Sequence, residues 1–285
     1  MPALGRRKPA PRGYTAPPPA SAGAGHAQVA ILRHSPHAPP QPQLDQVADE
    51  EPLEIQVDRR PVAVLMRTPG HDLELAAGFL LSEGVLRSRS DLFDIGHCVA
   101  DDANSGNTVG VTLTQRNNPA LRRLQRSTFT GSSCGTCGKA SIAAIHLQFP
   151  PLARSARPRP EVLALLPERL RQGQEIFQNT GGLHAAALFD KQGRILILRE
   201  DVGRHNAVDK VLGRALLDGL RITPAHILFV SGRVSFEIMQ KALAARIGIV
   251  AAISAPTSLA VSFARASRQK LAGFVRDGSF NLYTP

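Results

Sequence analysis

An α/β fold with a mixed, mainly parallel sheet is predicted for the second half of this 285-residue chain, with a smaller α+β unit before it. Two observations carry that expectation. Strand-like segments at 186–190, 195–200, 227–231 and 249–254 alternate with helical ones at 206–217, 236–246 and 258–269, the pattern of βαβ units. Upstream, strand pairs surround a single helical segment, and a proline-rich break at 149–160 separates the halves. The expected organisation is a disordered tail over 1–46, an α+β domain over 47–150 and an α/β domain over 151–285.

Taken in order, residues 1–44 are rich in Pro, Ala, Gly and Ser and lack hydrophobic periodicity, so disorder is expected. Leu53, Ile55 and Val57 alternate as a strand, Arg59-Arg60 reads as a turn, and 62–66 returns. Asp72 is placed to cap a helix carrying Leu73, Leu75, Ala76, Phe79 and Leu80, and 93–99 and 108–114 read as strands. Helices are expected at 140–147 and 161–174. Near the C-terminus, residues 271–281 read as a hairpin around Asp277-Gly278. No internal repeat of 20–50 residues is visible.

Composition narrows the function. With 43% hydrophobic residues the chain can bury a full core, and its three cysteines, Cys98, Cys134 and Cys137, are too few for a disulfide framework. A CxxC without a secretory signal suggests a reducing, cytoplasmic setting. The pair Arg6-Arg7 is followed by no apolar stretch, so neither export nor membrane insertion is expected. Of the formal charge of +11, the first 46 residues supply +4. Without Trp and with two Tyr there is little to stack on bases, so a small anionic ligand is a better match than nucleic acid.

Cys134 and Cys137 lie in Gly131-Ser132-Ser133-Cys134-Gly135-Thr136-Cys137-Gly138-Lys139, ahead of an expected helix. Small neighbours leave the sulfurs accessible, while a helix N-terminus and the Lys139 ammonium both favour thiolate. Four readings are open: a redox pair, a structural metal site, a passive pair, and a nucleophilic or sulfur-carrying thiolate. Thioredoxin-like chemistry would place the motif after a strand, and zinc would need a second close-spaced ligand pair that the chain lacks, so no metal site is expected. The sulfur-carrying reading is favoured, because a polarisable sulfur can accept and pass on a sulfane atom.

A second cluster, Arg199 to Asn206, joins a strand end to a helix start and presents Arg204 and His205. The following strand repeats the arrangement with Ser231, Gly232 and Arg233. Loops beyond the carboxyl ends of strands form the ligand crevice of open sheets, and helix N-termini attract anions. Either loop alone would be read as a helix cap with a solvated arginine; two in succession favour an anion site. His184, delivered by a Gly-Gly turn to a strand start, is a third candidate.

The segments FTGSSCGTCGKAS at 129–141, TGGLHAAAL at 180–188, REDVGRHNAVDKVLG at 199–213, SGRVSFEIMQK at 231–241 and GFVRDGSFNLYT at 273–284 resemble the formate dehydrogenase accessory sulfurtransferase family. With RTPGHDLELAAGFLLSEGV at 67–85, the resemblance spans 50–285. It implies a homodimeric sulfurtransferase with a cytidine-deaminase-like α/β domain. Such a protein takes persulfide sulfur from a cysteine desulfurase and passes it to the Mo- or W-bis(pterin guanine dinucleotide) cofactor of the formate dehydrogenase catalytic subunit. The resemblance places the persulfide cysteines on Cys134 and Cys137, and the cofactor-binding segment on Phe274, Val275, Arg276, Asp277, Gly278, Ser279 and Phe280. Zinc deamination does not fit: His184-Ala185-Ala186 lacks the His-x-Glu carboxylate, and Ser133 stands where proline precedes the cysteine pair. The alternative from another class is a cofactor-binding chaperone that does no chemistry.

Overall fold

The computed structural model describes residues 25–98, 106–115, 118–128, 142–154 and 157–285. Among them the disorder expected up to residue 46 does not hold from His26 onward. Strands β1 (His26–Ser35) and β2 (Ala38–Ala48) pair antiparallel as a hairpin. Ala27, Val29 and Ile31 alternate as half-buried positions, a period-2 signal that the proline-rich composition masked. Pro42 is tolerated because a two-stranded ribbon leaves an outer edge that needs no N–H donor, and Pro39 and Pro40 fall where the register shifts between Arg33–Gln41 and Ser35–Ala38. The ribbon's base is fixed: Asp49 N donates to Gly25 O at 3.0 Å, and β2 packs on α5 (Glu175–Thr180).

The four-stranded sheet has the order β4-β3-β6-β5, formed by β3 (Glu51–Val57), β4 (Arg60–Arg67), β5 (Leu92–His97) and β6 (Thr108–Leu113). Its hairpin turns one residue earlier than expected, on Asp58 and Arg59, both at positive φ. Helix α1 (Asp72–Ser82) covers the sheet, and Leu75 and Leu80 pack against Leu53, Ile55 and Val109. Asp72 is its first residue and not its cap, because its carboxylate accepts the fork of buried Arg67, Nε at 2.9 Å and Nη2 at 3.0 Å. Helix α2 (Pro119–Thr128) arises in a stretch whose polarity hid it: Asn118 caps the Ala120 and Leu121 N–H groups, and Ala120, Leu121 and Leu124 are buried.

The second sheet has six strands in the order β12-β11-β10-β9-β7-β8: β7 (His184–Phe189), β8 (Ile195–Asp201), β9 (Ile227–Val230), β10 (Ile249–Ala252), β11 (Lys270–Arg276) and β12 (Ser279–Leu282). It is mixed, but not mainly parallel by pairing, since three of its five ladders are antiparallel. The reason is local. Asp190 to Arg194 close a tight turn, Asp190 N donating to Arg194 O at 3.0 Å, which is too short for the crossover a parallel pair needs. Helices α6 (Arg204–Leu217), α7 (Phe236–Ala244) and α8 (Ser258–Ser267) supply the crossovers and cover one face through Val208, Met239 and Phe263. Helix α4 (Pro160–Gln172) covers the other with Leu163, Leu166 and Leu170.

Helix α3 (Ile142–Gln148) belongs to this second core through Ile145, followed by Phe149 and Leu152 just after it, so the chain changes cores before residue 150, where the boundary was expected. The two sheets are joined where α1 crosses α6. Across that junction Arg199 donates to Glu74 through Nε at 2.6 Å and Nη2 at 2.8 Å, and Ser82 Oγ donates to Asp209 Oδ1 at 2.7 Å. Burial alone would raise the Glu74 pKa, but the Arg199 fork and His71 outweigh it and lower it from 4.5 to about 2. A depressed carboxylate adds stability that is complete above its unfolded pKa and is lost as pH falls through the folded one. The wild-type chain should therefore lose roughly 3 kcal/mol between about pH 5 and pH 2 from this group. Urea denaturation across that range should show the slope in the wild type and a flatter one in Glu74→Gln.

Candidate ligand crevice

One end of the six-stranded sheet gathers the loops that bear the predicted residues. Strands β8, β9, β10 and β11 all run toward that end, and β7, antiparallel to β8 and β9, begins there, pairing His184 with Asp201 and Ala186 with Val230. His184, Arg204, His205, Ser231 and Arg233 therefore converge although they lie up to 49 positions apart. Gly232 forms the wall between them: a Cβ there would stand 3.2 Å from His184 Nδ1 and 3.6 Å from Arg204 Cβ.

The loops are held by backbone. Ser231 exchanges bonds with Ala185, its N–H donating to the carbonyl and its Oγ accepting from Ala185 N, both at 2.9 Å, so this serine is occupied in closing the turn. Val234 N donates to Ala255 O and Thr257 N to Val234 O, which ties the loop after β9 to the loop after β10. Phe274 N in turn donates to Ser254 O at 3.1 Å. The loop after β8 is pinned by Asp201, which is fully buried and accepts from Thr68 N, Gly203 N and Asn206 Nδ2, with Lys210 Nζ 2.7 Å away.

Electrostatically the crevice is cationic. Helices α6 and α7 begin here with Gly203 and Ser235 at their N-caps; Gly203 has no side chain and the Ser235 side chain makes no capping bond among the described residues, so the positive ends of both helix dipoles face this end of the sheet. Arg204 Nε is buried without a hydrogen-bond partner among the described residues, and exposed Arg233 forms no ion pair among them. The His184 pKa is lowered, first by burial and then by the charges of Arg204, His205 and Arg233, with Asp201 opposing. Its imidazole is thus neutral near pH 7 and can donate or accept a hydrogen bond.

His205 Nε2 lies 2.8 Å from Glu237 Oε2 and 3.2 Å from Ser235 Oγ. Both contacts use the same ring nitrogen, so this is no Ser-His-Glu relay, in which acid and hydroxyl occupy opposite nitrogens. Glu237 and Ser235 were missed in the sequence. Their only signal was an acidic residue in a helix's first turn, which ordinary dipole compensation explains equally well.

The C-terminal segment reaches the same end. Phe274 and Asp277 have positive φ, and Asp277-Gly278 forms the expected turn between β11 and β12. The Arg276 guanidinium lies 5.8 Å from the Phe274 ring centroid. Asp277, Gly278 and Ser279 are exposed and Phe280 is half-buried, whereas Val275 is wholly buried in the core and offers a ligand only its backbone. Three inter-strand spacings separate β11 from β7, roughly 14 Å, so the hairpin and His184 stand apart along the same end of the sheet. Cys134 and Cys137 lie outside the described residues. Among the described residues no cluster of three or more His, Cys, Asp or Glu is arranged to hold a metal ion. No described helix is long and apolar enough to cross a membrane.

The family model of FdhD/NarQ matches residues 48–285. The chain belongs to the FdhD/NarQ family. Relatives named sulfur carrier protein FdhD include one from Streptomyces avermitilis, 48% identical over 250 residues that cover 84% of this chain and 87% of the relative. Another, from Mycolicibacterium paratuberculosis, is 49% identical over 240 residues, 82% of this chain and 88% of its own. The fold is that of a protein described as a formate dehydrogenase accessory protein from Desulfotalea psychrophila. That crystal structure superposes with a TM-score of 0.70 at 23% identity, over 91% of this chain and 96% of its own. The FdhD/NarQ match begins at residue 48, so the β1–β2 ribbon falls almost wholly before it.

Proposed function

We propose that this FdhD/NarQ chain is a sulfurtransferase of the cytoplasm, moving persulfide sulfur from a cysteine desulfurase to the Mo- or W-bis(pterin guanine dinucleotide) cofactor destined for formate dehydrogenase. The observation that carries the proposal is the near-half identity to sulfur carrier proteins over most of both chains. The cationic crevice agrees with it, because a guanine dinucleotide brings a pyrophosphate that helix N-termini and arginines can hold. The proposal includes a homodimer and a cytidine-deaminase-like C-terminal domain.

In the chemistry, the Cys134 thiolate attacks the terminal sulfur of the desulfurase persulfide. A new S–S bond forms, the old one breaks, and the desulfurase leaves as thiolate. Cys137 then either accepts the sulfane sulfur in relay or attacks the inner sulfur of Cys134. The second route releases hydrosulfide and leaves a Cys134–Cys137 disulfide for a cellular thiol to reduce. Around the cargo, Arg204 and Arg233 would hold its phosphates, and neutral His184 would give or take a hydrogen bond.

Incubation with a desulfurase and cysteine should add one sulfur to the 131–139 peptide by mass spectrometry. Cys134→Ala and Cys137→Ala should each bind GDP normally while activation of formate dehydrogenase collapses. Full activation by both variants would instead favour the chaperone. Separately, Arg204→Ala, Arg233→Ala and Arg276→Ala should each cost roughly 1.5–3 kcal/mol in calorimetric titration with GDP, about tenfold or more in affinity. Unchanged GDP affinity in all three would place the cofactor elsewhere.

A further inference from the structure

At the opposite end of the six-stranded sheet, where β9 and β10 begin and β7 ends, lies an open depression of about 600 Å³. Its lining carries Arg154, Arg157, Arg159 and Lys191, and among the described residues no carboxylate lines it. All four cations are exposed, and none makes an ion pair among the described residues. Pro158, Pro224, Ala225, Ile227 and Ile249 make the rest of its lining partly apolar.

The cluster is built, not left to chance. Arg268 Nη1 donates to Leu152 O at 3.4 Å and to Ala153 O at 3.1 Å, while Arg246 donates to Pro150 O. Leu152 N donates to Ser267 O at 3.1 Å, so the segment leading to Arg154 is anchored without regular structure. Arg159 Nη2 donates to Lys191 O at 2.9 Å, which locks two rim loops together. Four like charges drawn together without counter-charge repel one another, and an acidic partner relieves that cost.

We propose that this depression docks an acidic polypeptide segment of a partner protein, one bearing clustered carboxylates and an apolar side chain for the apolar part of its lining. The rim is too open to desolvate a small anion, and exposed single cations hold such ions weakly. Among the described residues no aromatic side chain lines it, so bases find nothing to stack on there and nucleic acid is disfavoured. Arginine-rich, partly apolar surfaces of this kind match protein interfaces. The site is separate from the GDP crevice, so a partner can be held here while the crevice is occupied.

The probe is a labelled Glu-rich peptide carrying one leucine, titrated by fluorescence anisotropy into the full-length chain. The wild type should bind it with an affinity that falls as salt rises. The triple variant Arg154→Glu/Arg157→Glu/Lys191→Glu should lose at least about tenfold, with GDP affinity and melting temperature unchanged. Three outcomes would overturn the proposal: no binding by the wild type, equal binding by the variant, or tighter binding of a DNA oligonucleotide of equal charge. Unchanged GDP affinity in the triple variant keeps this test distinct from that of the crevice.

Discussion

Gly213→Ala is expected to destabilise the chain by about 3 kcal/mol, and Gly78→Ala by a similar amount. A Cβ at Gly213 would stand 1.8 Å from the carbonyl oxygen of Glu74, and one at Gly78 would stand 1.8 Å from that of Asp209. Each clash is with backbone of the facing helix, so no rotamer change relieves it; α1 and α6 must separate. Separation would also stretch the Arg199–Glu74 fork and the Ser82–Asp209 bond, and would pull the two cores apart. Alanine recovers only about 1 kcal/mol of helix propensity, which leaves a net loss. Urea denaturation measures it, with Gly96→Ala as control, since among the described residues nothing lies within 4 Å of a Cβ at that strand position. A loss below about 1 kcal/mol at both crossing glycines would mean that the helices part without cost.

The second large effect is expected at the buried pair beneath the crevice. Lys210 Nζ lies 2.7 Å from Asp201 Oδ2 and donates to Thr68 O at 2.8 Å, with Lys210 1% and Asp201 0% exposed. Lys210→Met removes the cation and strands a carboxylate with no water to solvate it, a change expected to cost 3–5 kcal/mol, as an order of magnitude for breaking a buried pair from one side. The double variant Lys210→Met/Asp201→Asn should recover part of that loss, because no charge is then left buried. Function should suffer beyond stability. Asp201 holds Gly203 N and Asn206 Nδ2 on either side of Arg204, so GDP affinity should fall in both variants even at temperatures where they remain folded. Denaturation curves and calorimetric titrations on the same samples separate the two effects. Retained stability in Lys210→Met would show that Asp201 is satisfied by its N–H donors alone.

Much of the fold was legible because its signals are local. Helices α6, α7 and α8 and the β3–β4 and β11–β12 hairpins follow from periodicity and turn chemistry within a dozen residues. The gathering of the two cationic loops was legible for a related reason: a strand leading through a glycine-containing loop into a helix places that loop at the carboxyl end of a sheet, with Arg204 as the first residue of α6 and Arg233 just before α7. The β1–β2 ribbon was not legible, because three prolines in β2 outweigh the alternation of Ala27, Val29 and Ile31 in any compositional reading. Helix α2 offered only three apolar positions, and α5 is six residues long, too short to show a period.

The sequence by itself determined the element types of the second half, the cationic character of its βα loops and the CxxC that makes sulfur chemistry available. Only the tertiary structure decided that β7 runs antiparallel, that α3 joins the second core, and that Gly78 and Gly213 are the contact points of two helices 135 positions apart. The same holds for the contact of His205 with Glu237, and for the gathering of Arg154, Arg157, Arg159 and Lys191 around one depression. Periodicity and turn preference act over a few residues and are written in consecutive letters. Close approach and charge clustering act through space, between segments that the chain's path, not its order, brings together.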